Sequence, residues 1–248
     1  MNALRSELSW THYRILLRVD NANIIGFYMN EAINSNWSTR ELERQINSHL
    51  YERLLMSKNK DKVKEMSQKG QIVRTPEDLI KDPYVLEFLN LNENKDFHEK
   101  DMEGILIEKL KNFLLELGKG FSFVARQKRI SVEGDDFYID LVFYNYLLKC
   151  FVLIELKTSK LTHQDIGQMD FYVRYFEKEI KSENDNETVG IILCSDKNET
   201  MVKYTLLNEN KTLFASKYKL YLPSEEELRK ELEFEREVVE REKLLVKV

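Results

Sequence analysis

The sequence predicts an α/β protein: a mixed β-sheet flanked by helices in the C-terminal part, preceded by an all-α N-terminal domain. Three observations carry that reading. Up to about residue 95, apolar residues recur at spacings of three and four, the helical period. Beyond it the pattern runs helix, three strands, helix, strand, helix, strand, and consecutive hairpins followed by alternation specify a mixed sheet. Two of those strands, in FYIDLVFYNYLLKCFVLIELKTSK, carry charges inside otherwise apolar runs: Asp140 in the first, Glu155 and Lys157 in the second.

The elements follow in order. WTHYRILLRV and IIGFYMNEAI read as helices. STRELERQINSHLYERLL reads as another, opened by a Ser38 cap with Glu41 three residues later, and with Leu42, Ile46, Leu50 and Leu54 on one face. In TPEDLIKDPYVLEFL, Thr75-Pro76 starts one short helix and Asp82-Pro83 opens a second. LNENKDFHEKD breaks the periodicity and sets a domain boundary near residue 95. MEGILIEKLKNFLLELGKG is then a helix ending near Gly118 or Gly120. FSFVARQKRISV is a strand and EGDD a turn. After the two charged strands, THQDIGQMDFYVRYFEKEI is a helix, ETVGIILCS a buried strand, NETMVKYTLLN a helix and LFASKYKLYLP a last strand. The domains are therefore a helical one over 1–95, a sheet domain over 96–223 and a charged helix over 224–248.

Composition excludes several classes. The chain of 248 residues is 42% hydrophobic and 33% charged, with a net charge of −5, which argues against a nonspecific polycation. No window is long and apolar enough to span a membrane. MNALRSELSW lacks the basic-then-apolar layout of a signal peptide. Cys150 and Cys194 lie in apolar strands without a Cys-x-x-Cys pattern, so they read as buried thiols in a reducing compartment, and the cytoplasm is the expected location. One basic run stands out, with Arg53, Lys58, Lys60, Lys62, Lys64, Lys69 and Arg74 against Asp61 and Glu65. Such a run suits phosphate contact, and equally a solvated linker helix.

The strand charges point to chemistry. A hairpin centred between Leu147 and Leu148 sets Asp140 directly opposite Glu155, with Cβ atoms roughly 4.5–5.5 Å apart. Lys157 lies two residues on and shares the face. Two buried carboxylates that close repel each other. Lys157 neutralises one; a divalent cation satisfies both, and hard oxygen ligands suit Mg²⁺. Such a site activates water against a phosphodiester. The plain alternative is a salt bridge from Lys157 to Glu155 or Asp140 with no metal.

Asp140 followed by Glu155-Leu156-Lys157, in this element order, resembles the PD-(D/E)XK nuclease superfamily, whose fold is the restriction-endonuclease-like mixed sheet. LLELGKGFSFVARQKRISVEGDDFYIDLVFY, CFVLIELKTSKLTHQDIGQMDFY and VGIILCSDKN look more specifically like the YhcG-type PDDEXK proteins, first catalogued as a domain of unknown function. WTHYRILL, FYMNEAI, NWSTRELERQINSHLYERLL and DPYVLEFL look like that family's helical N-terminal domain, so the resemblance covers essentially the whole chain. It implies that Asp140 and Glu155 hold Mg²⁺ or Mn²⁺, often with the Leu156 carbonyl, and that Lys157 is the catalytic lysine. Ile139 stands where the superfamily name has proline, a common departure.

Further residues follow from the same resemblance. Gln168 and Tyr172, four apart on one helix face, match a Gln-x-x-x-Tyr element in which the Gln lies near metal or phosphate. Many members place a Glu of the first helix at the site. Glu103, on the inward stripe with Leu106, Leu110 and Leu117, is the choice over Glu116 and Glu108. Apart from the resemblance, Lys160 and His163, beside the Thr162 cap, read as solvated loop residues or as phosphate contacts at that helix's N-terminus, and Lys62 and Lys64 of the basic run join Lys160 and Tyr172 as candidate nucleic-acid residues. His12, His49, His98 and His163 show no zinc spacing, and Trp10 and Trp37 read as core.

Two functions are then expected. The first is a Mg²⁺-dependent nuclease acting on DNA, with RNA not excluded and a homodimer plausible. Its N-terminal helices, with NWSTRELERQI in a helix-turn-helix-like unit, would hold nucleic acid or a partner. The second is a binding or assembly module on a nuclease fold, in a defence or recombination system, without turnover.

Overall fold

The structure is a computed structural model, and it describes residues 6–56, 65, 66, 68–91, 98–197, 212–224, 226–228 and 230. The chain divides into two compact units, 1–71 with 222–248, and 72–221. Residues 72–91, grouped by sequence with the helical half, belong to the sheet unit.

In the first unit the described helices are α1 (Trp10–Leu16), α2 (Ala22–Asn34), α3 (Thr39–Asn47) and α4 (Leu50–Met56). The capping box at α3 forms as the sequence indicates: the Glu41 N–H donates to Ser38 Oγ at 3.3 Å, and the Ser38 N–H to Glu41 Oε2 at 2.8 Å. The single helix expected over 39–55 is broken instead, at Ser48 and His49, where His49 takes a left-handed φ of 51°. Phe27, Tyr28, Leu42, Leu50 and Leu54 fill this unit's core. Trp37 is buried there, whereas Trp10, expected in the core, is 72% exposed.

The second unit is a six-stranded sheet in the order β1-β6-β5-β4-β3-β2. Its strands are β1 (Tyr84–Val85), β2 (Phe121–Val132), β3 (Asp135–Asn145), β4 (Cys150–Lys160), β5 (Val189–Asp196) and β6 (Leu213–Lys219). β2, β3 and β4 pair antiparallel; β4, β5, β6 and β1 pair parallel. The sheet is thus mixed, as the element order requires. Two left-handed residues, Glu133 and Gly134, make the β2–β3 turn, so Asp135 and Asp136 of the expected turn are strand.

Helices cover both faces. On one side lie α5 (Glu99–Glu108) and α6 (Leu110–Leu117), with Met102, Leu106, Phe113 and Leu117 packed on Leu141, Phe143, Ile154 and Leu156. Sequence reads these two as one helix; the backbone breaks at Lys109. On the other side α7 (His163–Tyr175) seats Ile166, Met169, Tyr172 and Val173 on Val142, Leu153 and Ile192. Thr75-Pro76 opens a 3₁₀ turn over Pro76–Leu79. Asp82-Pro83, however, leads not into a helix but into β1, which pairs with β6 and ends in a 3₁₀ turn at Glu87–Leu89. The helix expected over 198–208, and most of the charged segment from 224, lie outside the described residues.

Candidate active site

β3 and β4 pair in register from Asn145↔Cys150 to Leu141↔Ile154. One more step of the same register sets Asp140 opposite Glu155, and there the ladder stops. The two carboxylates take over the bonding: the Asp140 N–H donates to Glu155 Oε1 at 3.1 Å, and the Leu156 N–H to Asp140 Oδ2 at 2.9 Å. Each acid thus replaces a backbone carbonyl that the parting strands no longer supply. β4 runs on beside β5, which pairs Glu155 with Ile192 and Lys157 with Cys194.

Lys157 reaches back over this gap. Its Nζ lies 3.8 Å from Glu155 Oε2, 3.4 Å from Glu99 Oε2 and 4.0 Å from Asp165 Oδ1. Glu99, in the first turn of α5, also accepts from the Thr158 N–H at 3.2 Å. One turn further on, Glu103 is 1% exposed, and its two oxygens are held by Arg126 Nε at 2.6 Å and Gln127 Nε2 at 2.8 Å. Gln127 Nε2 donates to Asp140 Oδ1 as well, at 2.9 Å. On α7, Gln168 Nε2 donates to the Tyr172 hydroxyl at 2.6 Å, and that hydroxyl donates to the Tyr138 carbonyl at 3.1 Å.

Asp140, Glu155, Lys157 and Glu103 are therefore assembled together, with Tyr172, itself bonded by Gln168, holding the adjoining stretch of β3. The rival Glu116 is elsewhere: its carboxylate accepts from the Val85 N–H at 3.0 Å, and its carbonyl from Lys81 Nζ. Glu108 is exposed. Tyr172, expected at a nucleic-acid surface, is 1% exposed because its ring packs under the sheet. Lys160 ends β4 with a largely exposed side chain, and its ion pair, at 3.7 Å, is with Asp196 rather than with a carboxylate of the site. His163 follows Thr162, which caps α7 as expected, the Asp165 N–H donating to Thr162 Oγ1 at 3.3 Å. Lys62 and Lys64 lie outside the described residues.

Sequence reasoning missed four residues: Glu99, Asp165, Arg126 and Gln127. Glu99 had a signal, since it stands four before Glu103 and shares its helix face. Arg126 and Gln127 had none, because consecutive strand residues normally point to opposite faces.

The electrostatics follow from burial. Glu155 is pushed up to about 8, by desolvation first and by Asp140 second. Asp140 is raised by desolvation, with Glu103 adding to it. Burial works against the Lys157 charge, yet Glu155, Glu99, Asp140 and Asp165 outweigh it and hold the ammonium above its ordinary value. Five carboxylates, Glu99, Glu103, Asp140, Glu155 and Asp165, so face two cations, Lys157 and Arg126. Among the described residues, no three His, Cys, Asp or Glu side chains form a ready-made metal cage. The Gln127 amide and backbone N–H groups hold the oxygens instead. The donor set still fits a hard divalent cation: an excess of carboxylate, with Glu155 driven toward its neutral form by burial and by the Asp140 charge.

The comparisons with known proteins give the family. Residues 77–233 match the YhcG PDDEXK nuclease domain, and residues 1–53 match the DUF1016 N-terminal domain. The chain belongs to the YhcG-type PDDEXK nuclease family. It is 37% identical over 232 residues to "Putative nuclease YhcG" of Escherichia coli strain K12, an alignment covering 94% of this chain and 61% of that protein. Among solved structures, a repair endonuclease from Pyrococcus abyssi overlaps 53% of this chain and 50% of its own, at 20% identity and a TM-score of 0.33. An EndoMS complex with double-stranded DNA overlaps 54% and 50%, at 16% identity and a TM-score of 0.35. Likeness at that level carries no functional argument. In this YhcG-type chain no described helix is long and apolar enough to cross a membrane.

Proposed function

We propose that this protein is a metal-dependent nuclease that hydrolyses phosphodiester bonds in DNA. The observation that carries the reading is the parting of β3 and β4, which leaves Asp140 and Glu155 facing each other with Lys157 3.8 Å from Glu155. Family membership supports it.

Asp140 and Glu155 would hold Mg²⁺ or Mn²⁺ with the Leu156 carbonyl, and Glu103 would add negative charge from α5. When bound, the metal supplies an activated water and stabilises charge on the phosphoryl oxygen. The chain's own residues do the rest. Lys157, kept as an ammonium by four carboxylates, donates to and orients the nucleophile or a phosphate oxygen. Glu99 and Asp165 keep that amine over the gap. Tyr172 fixes the Tyr138 carbonyl, two residues before Asp140, and Gln168, which donates to that hydroxyl, would contact the phosphate. The N-terminal unit, with its basic run, would hold nucleic acid or a partner.

The test is cleavage of circular, linear, single-stranded and branched DNA, and of RNA, with Mg²⁺, Mn²⁺ or EDTA. Metal-dependent cutting that Asp140→Ala and Lys157→Ala abolish supports the reading. Tight binding without turnover, unchanged in Asp140→Ala, would make the chain a binding module instead.

A further inference from the structure

We propose that Gln127 is a positioning residue: its amide pre-assembles Glu103 and Asp140, carboxylates from two different elements, into one cation-receiving pair. The inference rests on the nuclease reading and adds to it a residue of β2.

Four features of the fold converge on Gln127. Its Nε2 donates to Glu103 at 2.8 Å and to Asp140 at 2.9 Å, so one amide group spans both acids. Its backbone has a φ of 45°, in the left-handed region that a residue with a Cβ avoids. The ladder passes it by: Arg126 pairs with Leu141 and Lys128 with Ile139, which leaves Gln127 and Asp140 opposite each other between those pairs. And Arg126 and Gln127, neighbours in a strand, both reach Glu103, one to each oxygen. Regular alternation would send them to opposite faces. The left-handed kink is what turns both inward.

The chemistry of the bridge explains why an amide stands there. Two carboxylates drawn together repel. A lysine between them would hold them and cancel the charge that attracts a metal. A neutral NH₂ donates one hydrogen to each acid and leaves their charge available. Partners that orient metal ligands in this way are typically worth about 10–100-fold in affinity.

The test measures Mn²⁺ binding to the full chain by electron paramagnetic resonance, alongside thermal unfolding in EDTA. Gln127→Gly removes the amide but suits the left-handed backbone. Gln127→Asn tolerates the backbone and keeps an amide one methylene short of the bridge. The Gly variant is expected to unfold close to the wild-type temperature while its Mn²⁺ dissociation constant rises about 10–100-fold, with Asn in between. Wild-type Mn²⁺ affinity in both variants would overturn the inference and leave the nuclease reading standing. A wild-type protein that binds no Mn²⁺, or whose binding survives Glu155→Ala, would overturn the nuclease reading itself.

Discussion

Asp140 and Glu155 accept hydrogen bonds from each other's strands where the sheet ladder ends, so their carboxylates are fixed by main chain rather than by side-chain chance. That makes Glu155→Gln informative. Gln keeps the shape and the acceptor oxygen but removes the charge, and cleavage should fall about a hundredfold or more, the scale of losing metal-centred stabilisation. Glu155 also predicts a pH dependence for the metal-free protein. Burial and the Asp140 charge raise it from 4.5 to about 8 on folding, so between those values the folded state holds the extra proton. Its contribution to stability is full below about 4.5 and is lost as pH rises toward about 8. Chemical unfolding in EDTA across that window should show the fall, and Glu155→Gln should flatten it. At this scale the sequence was legible where counting sufficed: a hairpin centre and a period of two place Asp140, Glu155 and Lys157. It was silent on Gln127, whose role depends on one backbone angle.

One close approach between elements helps to bring these residues together. α7 lies against β5 at Gly190, where an added Cβ would stand 2.8 Å from Met169 Cγ and 2.9 Å from Val173 Cγ2. Gly190→Ala should therefore push α7 off the sheet and cost about 1–3 kcal/mol, read as a lowered unfolding midpoint. Because α7 carries Gln168 and Tyr172, the same variant should lose cleavage beyond its loss of stability. In the N-terminal unit Ser38→Ala removes the α3 cap and should cost about 0.5–2 kcal/mol without touching the site. Periodicity revealed where helices lie but not where they break. Ser48-His49 and Lys109 interrupt apolar stripes that continue across them, so spacing alone carries no sign of the break. Asp82-Pro83 misled for a related reason: the segment is short, and its pairing partner, β6, lies more than a hundred residues away.

Across the whole molecule, the mixed sheet was the most legible feature, because hairpins followed by strand–helix alternation admit few topologies. β1 was not, being two residues long. The division of the chain near residue 71 was hidden as well, since 72–91 has a helical composition yet packs on the sheet. The core of that sheet holds both thiols. Cys150 and Cys194 are buried, and burial pushes them up to about 11 and about 12. Neither should react with a thiol reagent in the native protein, and both should be modified together at the rate of global unfolding. Modification of either one in the native state would contradict this packing.

The most direct test of the central claim is cleavage of the DNA panel by wild type and Glu155→Ala side by side, with Mg²⁺, Mn²⁺ or EDTA. The geometry predicts cutting that requires the metal and is lost in the variant. No cutting of any substrate, together with DNA binding that Glu155→Ala leaves unchanged, would contradict it and make Asp140, Glu155 and Lys157 a structural ion cluster.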